Sequence, residues 1–487
     1  MKLSKHLEEN IAAVRELLPI GKSFDLITRD LYLGRTPAFF VGINGFCRTD
    51  ILQRLFSDLQ NPSYTSDDVI EDITAYASAK IGYAQVAFAD SWEDILPQLL
   101  SGPVLLLVDG FDRALIIDVR SYPARSISEP DTEHVTKGAR DGFVETMLFN
   151  TNLIRRRIRS PKLTFEICRV GTDSKTDIAI AYMDGLAETA LLNKVRHALS
   201  SLQISALTMG TKSLEELLLP KSWLHPLPNI QTTERPDVAC SYLLEGHVVL
   251  VVDNSPAVLI LPCSIFQFTQ SPEDYYSSPI VGNYFRLVRF FCIPVSLLLL
   301  PVFFLLSSYF PAFVEQYHLL SSTDVGKVRL FFYVLAMEFL LDLFKYSSAH
   351  SPGRFSGSLS IVGGLIIGDM AVDLNWASVE VLFYAAITLL TSLSLASVEF
   401  ADGLRIYRIF LIIVTGFFGV WGFAAGIILV LASAATTPAF GGMSYLWPLF
   451  PFNWKALSKL LFRYPTPKAQ PSDVWNRNAG RHQEMYR

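Results

Sequence analysis

Four carboxylates lie inside long apolar segments of the second half of the chain. They form two pairs with a spacing of four residues: Glu338 and Asp342, then Asp369 and Asp373. This spacing places both carboxylates of a pair on one face of a helix. A charged side chain at the centre of a bilayer costs at least about 2.5–3.5 kcal/mol, so such groups face a bundle interior or a water-filled path. The pattern predicts a path for cations.

The same carboxylates also have a purely structural interpretation. They would then lie near a membrane interface, or pair with the neighbouring cations Lys345 and Arg354 and hold helices together. Both interpretations stay open at the level of the sequence, because periodicity shows which residues share a helix face and not what that face contacts.

The elements that must position these carboxylates are apolar segments with the length of a membrane helix. Segment 290–310 has 21 residues without a charge and would span about 30 Å as a helix, the thickness of a bilayer's hydrocarbon core. Four further apolar segments follow it: 330–344, 359–374, 378–397 and 406–434. The last is about ten residues longer than a span requires, so we expect it to tilt, project or break at its glycines. Residues 285–453 are thus predicted to form an α-helical membrane domain of four to six spans or re-entrant segments.

Basic residues predict the orientation of this membrane domain. Arg286 and Arg289 directly precede the first span, and the tail 454–487 has seven basic and two acidic residues. Basic flanks favour the cytoplasmic side. Five simple crossings cannot place both flanks there, so either 359–374 is re-entrant or Tyr445–Trp454 returns part-way through the membrane. The parity of the crossings stays open.

The front half has a different composition. Residues 1–284 hold 26 basic and 35 acidic residues, whereas the rest of the chain has a balance of +4. Neither half has the basic excess of a nucleic-acid-binding protein. The N-terminal residues lack the apolar core of a signal peptide, and the five cysteines show no C-x-x-C spacing. We therefore expect a soluble cytoplasmic domain with free thiols.

Apolar runs and turn residues predict an α/β fold in two lobes, 1–160 and 161–284. In the first lobe, 104–108 and 113–119 flank a glycine-containing turn and predict a hairpin. In the second lobe, Leu163–Val170 and Thr176–Met183 are predicted strands. A closing meander of three strands is predicted from Val238–Leu244, His247–Val252 and Ala257–Leu261.

The sequence contains none of the motifs that would predict an enzyme, a cofactor or a metal. A phosphate-binding loop, a nucleophile elbow and metal-spaced histidines are all missing from it. Two polar stretches instead carry densely spaced charges, at Arg125 and Glu129, at Arg140 and Glu145, and at Arg155, Arg156 and Arg157. They are either a solvated face with local salt bridges or a contact for a partner subunit or anionic headgroups.

These stretches contain three motifs in a fixed order. They are R-S-I-x-E-P-x-T-E from Arg125, K-G-x-R-x-G-F-x-E from Lys137 and N-x-x-L-I-R-R-R-I-R from Asn150, and S-I-V-G-x-L-x-I-G follows from Ser360. Together they resemble the A subunits of the spore germinant receptors of endospore-forming bacteria. The resemblance covers nearly the whole chain. At Lys345–Pro352 the chain lacks the receptors' R-E-A-G-x-R-L-P, and there it is more similar to the branch of the family typified by stage V sporulation protein AF.

The resemblance implies a multi-pass protein of the spore inner (forespore) membrane, with its N-terminal domain on the core side. It also implies a homo-oligomeric ring around a pore for monovalent cations, and membrane partners from the germination apparatus, including a small one. The AF-type branch would amplify germination and not sense nutrients. Two alternatives remain, a non-conducting scaffold and a nutrient-sensing receptor subunit; a secondary transporter would require inverted repeats, which the sequence does not show.

Overall fold

The structure is a computed structural model that describes residues 2–47, 49–60, 70–82, 85–121, 133, 135–219, 225–317, 325–350 and 378–464. These residues form two compact units. The first comprises the described residues of 1–218 and 230–262, and the second those of 219–229 and from 263 onward. The first unit ends at 262, earlier than the boundary at 284 that the sequence predicts.

The first unit contains two α/β lobes, each with a five-stranded antiparallel sheet. The first lobe runs through α1 (Leu7–Leu17), β1 (Leu26–Leu33), β2 (Thr36–Ile43), α2 (Thr49–Gln60), α3 (Ile73–Lys80), β3 (Val86–Ala89), α4 (Trp92–Leu100), β4 (Val104–Val108) and β5 (Ala114–Ile117). The second runs through α5 (Met147–Arg157), β6 (Leu163–Val170), β7 (Thr176–Met183), α6 (Thr189–Ser200), α7 (Thr211–Leu218), β8 (Gln231–Thr233), α8 (Pro236–Leu244), β9 (Val248–Val252) and β10 (Val258–Leu261).

Both lobes have the same topology. The sheet orders are β1-β2-β4-β5-β3 and β6-β7-β9-β10-β8, so each lobe follows the order 1-2-4-5-3 when its own strands are numbered. The helices fall between corresponding strands in both lobes. The central strands β4 and β9 are buried along their whole length because helices cover both faces of the sheet, which explains their uninterrupted apolar sequences.

The lobes also share the hydrogen bonds that fix their first helix. Leu7 N donates to Asp109 Oδ1 at 2.9 Å, and Met147 N donates to Asp253 Oδ1 at 3.0 Å. In each helix an asparagine bonds both backbone groups of the residue six positions earlier; these are Asn10 and Asn150. The first unit is therefore built from two copies of one arrangement.

Three features of this unit differ from the sequence predictions. Val238–Leu244 was predicted as a strand, which is wrong: it lies in α8, where Pro236 occupies the first turn and its missing N–H costs no helical hydrogen bond. Strands β1 and β8 were not predicted. Helix α5 packs on the second sheet through Met147, Ile154 and Ile158, so the second lobe begins before the predicted boundary at 160.

The second unit is helical. It contains a 3₁₀ turn (Ile265–Thr269), α9 (Glu273–Tyr276), α10 (Pro279–Tyr309), α11 (Pro311–Gln316), α12 (Lys327–His350), α13 (Val379–Leu393), α14 (Val398–Thr436), a second 3₁₀ turn (Phe440–Gly442) and α15 (Trp454–Leu461). Among the described helices, α10 and α14 are long and apolar enough to cross a membrane, with mean hydropathies of 2.5 and 2.2.

Helix α14 is a hairpin of two arms. Gly419 has φ 63° and ψ −141°, which interrupts the helix between an outward arm, 398–418, and a return arm, 420–436. Tyr407 Oη lies 2.7 Å from Ser433 Oγ, although 26 residues of straight helix would separate them by about 39 Å. The arms are about 31 Å and 26 Å long at 1.5 Å per residue. The break at a glycine that the sequence allowed is thus a full reversal of the chain.

Contacts between helices give their relative directions. We call the end of the unit where α10 begins the near end, and the end at Tyr309 the far end. The outward arm runs parallel to α10, because Arg408 contacts Ser296 and Thr415 contacts Tyr309. Helix α13 runs the opposite way, since Tyr384 packs on Phe303 near the far end and its last turn lies beside Lys345.

Candidate functional site

Glu338 lies in the interior of the second unit and is fully paired. Arg408, on the outward arm of α14, donates to both of its carboxylate oxygens, Nε to Oε1 at 2.7 Å and the second nitrogen to Oε2 at 2.8 Å. The third nitrogen of Arg408 donates to the carbonyl oxygen of Ser296 on α10 at 2.7 Å. The side chains of Glu338 and Arg408 are only 2% and 3% exposed. This bidentate pair joins three helices.

A row of further ion pairs continues from Glu338 toward the near end. Arg405 contacts both Asp342 and Asp402, and Lys345 contacts Asp402. The partners rise in number on α12 while they fall on the outward arm, so the two helices are antiparallel. A shift by one turn would bring Asp342 toward Asp402, which is a repulsive pair. The alternation of charge therefore fixes the register of α12 against α14.

A cavity of about 80 Å³ lies beside this row. Asp342, Lys345, Arg405 and Arg408 contribute to its wall, together with Ser392 and apolar side chains. Asp342 retains 36% of its side-chain exposure, whereas Glu338 has almost none. Of the two carboxylates, Asp342 is the one that solvent or an ion reaches.

The remaining sequence predictions for this region have separate outcomes. Asp369 and Asp373 lie outside the described residues, as does Arg354, so a role for them in an ion path stays a prediction. The predicted structural partner Lys345 bonds Asp402, while the cations that hold Glu338 and Asp342 are Arg408 and Arg405. Helical periodicity could not reveal these partners, which lie more than sixty positions away in sequence.

A second buried charge cluster lies at the near end, and sequence reasoning missed its acid. Asp274 is buried and pairs with Arg286, at 3.4 Å, and with Arg289. Arg286 also donates to the carbonyl oxygen of Leu460 in α15 at 3.0 Å. Backbone bonds between Asn283 and Arg463 complete the contact. The arginines predicted to flank the first span therefore also anchor the C-terminal helix beside the start of α10.

In the first unit, Arg155 is a buried side chain that joins the lobes. Its Nε donates to Asp25 Oδ2 at 2.7 Å, and its other nitrogens donate to the carbonyl oxygens of Ser160 and Leu163. Asp25 in turn accepts from Ser23, whose hydroxyl oxygen accepts from Phe165 N at 2.9 Å. Arg155 is 1% exposed, which corrects its assignment to a contact surface.

The other predicted contact residues lie in different environments. Arg157 pairs with Asp141 at 2.5 Å, and both are partly exposed. The exposed members of the set are Arg140, Glu145 and Arg156. Arg125 and Glu129 lie outside the described residues. The exposed and paired basic side chains gather near the C-terminal end of α5.

Nucleophilic and metal-binding groups do not converge in the parts of the chain that the structure describes. No group of three or more His, Cys, Asp or Glu side chains there is placed to hold a metal ion. Burial raises the pKa of the Cys47 and Cys240 thiols to about 12, which keeps them protonated at neutral pH. Burial likewise lowers the pKa of His247 to about 3, so this imidazole stays neutral.

Comparison with known proteins identifies the family. The sequence profile described as Bacillus/Clostridium GerA spore germination protein matches residues 15–473. The chain belongs to the GerA family. This GerA-family chain is 34% identical to stage V sporulation protein AF of Bacillus subtilis (strain 168) over 94% of its own length and 93% of the relative's. The resemblance predicted from the motifs is confirmed.

Receptor proteins of the GerA family are also similar to this chain. Spore germination protein KA of Bacillus subtilis (strain 168) is 28% identical, over 95% of the chain and 85% of that protein. The crystal structure of the N-terminal domain of the A subunit of the Bacillus megaterium spore germinant receptor GerK3 matches 53% of the chain and 96% of its own length, at 28% identity and a TM-score of 0.42.

Proposed function

We propose that this GerA-family protein is a subunit of an oligomeric channel that releases monovalent cations through the inner membrane of the spore and so amplifies germination. The family and the names of its relatives support a role in germination. The observation that carries the channel is Asp342, a half-accessible carboxylate beside a charged cavity within an apolar helical unit. Carboxylates in such positions create the negative potential of cation-selective pores.

Exposed aromatic side chains support a membrane position for the second unit. At the near end they include Tyr284, Phe285, Phe452 and Trp454, and at the far end Phe310, Phe313, Phe417 and Trp421. Along α10, Phe285 and Phe310 are about 37 Å apart, close to the distance between the two interfaces of a bilayer. Aromatic belts occupy those interfaces in membrane proteins. Most of the exposed side chains between the two groups are apolar.

The direction of the helices supports an even number of crossings. The chain enters α10 at the near end, and α15 lies beside that same end through the bond between Arg286 and Leu460. The hairpin of α14 supplies the additional crossing that a single long span would lack. Positive flanks at the near end, with Lys455 and Lys459 on α15, favour the cytoplasmic or core side for it. Tyr445 is held at this end by a 2.7 Å bond to the carbonyl oxygen of Pro228, which disfavours a return of 445–454 into the membrane.

Cation efflux from liposomes tests the channel. The purified protein, alone and with its small membrane partner, is reconstituted with potassium inside, and efflux is compared with Asp342→Asn. We expect efflux to fall about tenfold, because Arg405 then faces the cavity without its second carboxylate. Arg405 keeps Asp402, so the helices stay joined. Exposed Glu315, on α11, gives a matched control in Glu315→Gln. Folded, oligomeric wild-type protein that releases no cations in either preparation would overturn the channel.

A non-conducting scaffold is the second candidate, and one observation favours it. Glu338 and Asp342 are both ion-paired, as they would be if their role were to hold helices together. The scaffold predicts that a charge swap, Asp342→Arg with Arg405→Asp, restores stability and germination, with no efflux from either protein. The receptor-subunit alternative has no observation of this kind in its favour.

A further inference from the structure

The duplicated lobes present one equivalent helical face each. In the first lobe α1 and α4 cover the same side of the sheet, and in the second lobe α5 and α8 do so. The equivalence is close, because α1 and α5 begin on the same hydrogen bond to an aspartate after the fourth strand. Differences in charge between these faces are therefore differences at matching positions of one fold.

The face of the first lobe is acidic. Its exposed charged side chains on α1 and α4 are Glu8, Glu9, Arg15, Glu16, Glu93 and Asp94. Five acids stand against one base. The acids extend from the first turn of α1 to its last turn and continue onto the first turn of α4, so the negative potential covers the whole face and not a single point.

The face of the second lobe is basic. Arg140, Arg156 and Arg159 are exposed at the C-terminal end of α5 and in the segment beside it. The acids of this region, Asp141 and Asp237, are paired with the partly buried Arg157 and the buried Arg235. The exposed charge on this face is thus positive, at the positions where the first lobe is negative.

We infer that the acidic face of one copy binds the basic face of the next copy in the oligomer. This inference rests on the proposed oligomeric channel. Two different patches meet in such a contact, so it is heterologous and generates a ring when the rotation closes. Opposite potentials on the two patches steer the copies together and oppose contacts between identical faces.

A second copy explains both faces, whereas a lipid surface explains one. Anionic headgroups would attract Arg140 and Arg159 but would repel the acidic face, which lies in the same unit. Divergence of two equivalent faces to opposite charge is what a repeated contact between identical chains requires.

Charge reversal on the full-length protein in detergent tests the contact, with oligomeric state measured by native mass spectrometry at about 0.1 M salt. We expect Arg140→Glu with Arg159→Glu to abolish the oligomer, and Glu8→Lys with Glu16→Lys to do the same. The quadruple variant restores opposite charges and should restore the oligomer. A matched reversal on the opposite side of the first sheet, Arg54→Glu with Arg113→Glu, should leave it intact. Oligomer that persists in both double variants overturns the inference.

The outcomes also separate this contact from the proposed function. Liposome efflux together with persistent oligomer in both double variants leaves the channel standing and removes only the contact. A wild-type protein that is folded and monomeric removes the ring and the contact with it. Oligomer that is lost in the basic-face variant and retained in the acidic-face variant assigns the basic face to another binding partner, which also overturns the inference.

Discussion

At the scale of single residues, the second unit depends on charges that are buried in pairs. Taking an arginine and a glutamate out of water costs several kcal/mol for each ion, and their attraction offsets this only when the hydrogen bonds are complete. The Glu338–Arg408 pair meets that condition, with two bonds between the ions and one to Ser296. Loss of one partner is therefore far more damaging than loss of both.

The first prediction concerns this pair. Glu338→Gln leaves the guanidinium of Arg408 buried without its counter-ion, so we expect a destabilisation of about 3–5 kcal/mol. The double variant, Glu338→Gln with Arg408→Gln, should recover more than half of that loss. Thermal unfolding in detergent measures both, and the exposed Glu315→Gln serves as the control. Equal stability of Glu338→Gln and wild type would show that the pair is not formed.

The second prediction concerns His247, which is buried and neutral in the first unit. Its pKa falls from 6.5 to about 3 on folding, because burial disfavours the charged imidazolium. Between these values the unfolded chain binds a proton that the folded chain does not, so stability rises with pH and is lost as pH falls below 6.5. At about 1.36 kcal/mol per pKa unit, this histidine should cost about 2 kcal/mol at pH 5.

Urea unfolding of the first unit at pH 7 and pH 5, followed by circular dichroism, measures this loss. In His247→Leu the difference between the two pH values should shrink by about 2 kcal/mol, even if the variant is less stable at both. His197, exposed on α6, gives a matched control in His197→Leu, which should keep the wild-type difference.

At the scale of elements, the reversal at Gly419 determines how α14 is used. A left-handed φ suits glycine, and a Cβ built there would lie 2.7 Å from the ring of Tyr309. The glycines of this segment make room for neighbours within the same chain: Gly416 faces Phe331, and Gly426 faces Leu411. Small residues permit this close packing of apolar helices.

The third prediction tests the hairpin directly. In a background without native cysteines, Leu411→Cys with Gly426→Cys should form an intramolecular disulfide on oxidation, because a Cβ at 426 would lie 2.8 Å from the side chain of Leu411. In a straight helix the same positions would be about 22 Å apart. Leu411→Cys with Ile428→Cys is the control, since Ile428 is exposed. Its failure to cross-link, with efficient cross-linking of the first pair, fits only the hairpin.

Much of the element content could be predicted from the sequence, and the failures have physical causes. Leu163–Val170 and Thr176–Met183 are strands as predicted, since their apolar runs end at turn residues. Val238–Leu244 failed because a short buried helix and a buried strand have equally apolar sequences, and only Pro236 distinguishes them. The carboxylates near residue 340 were found by their cost in an apolar segment. Their arginine partners were not, because that pairing depends on the tertiary fold.

At the scale of the whole molecule, the sequence indicated a soluble domain before a membrane domain but not the duplication. The lobes share backbone hydrogen bonds and sheet order, which many sequences satisfy, and few identical side chains beyond the aspartates after β4 and β9. Chain reversal at Gly419 likewise decides the parity of the crossings, which composition left open. Both features follow from backbone geometry that hydropathy does not record.

The last prediction follows from that parity. If the near end faces the cytoplasm, cysteines at Tyr276 and Lys459 react with a membrane-impermeant maleimide from the same side, because α15 is bound to the start of α10. A cysteine at Trp421, 84% exposed at the tip of the hairpin, reacts from the opposite side. Labelling of sealed vesicles of known orientation measures this, with permeabilised vesicles as the control for reactivity. A single tilted span over 398–436 would place Lys459 and Tyr276 on opposite sides. Labelling of the two from one side, with Trp421 labelled from the other, is consistent only with an even number of crossings.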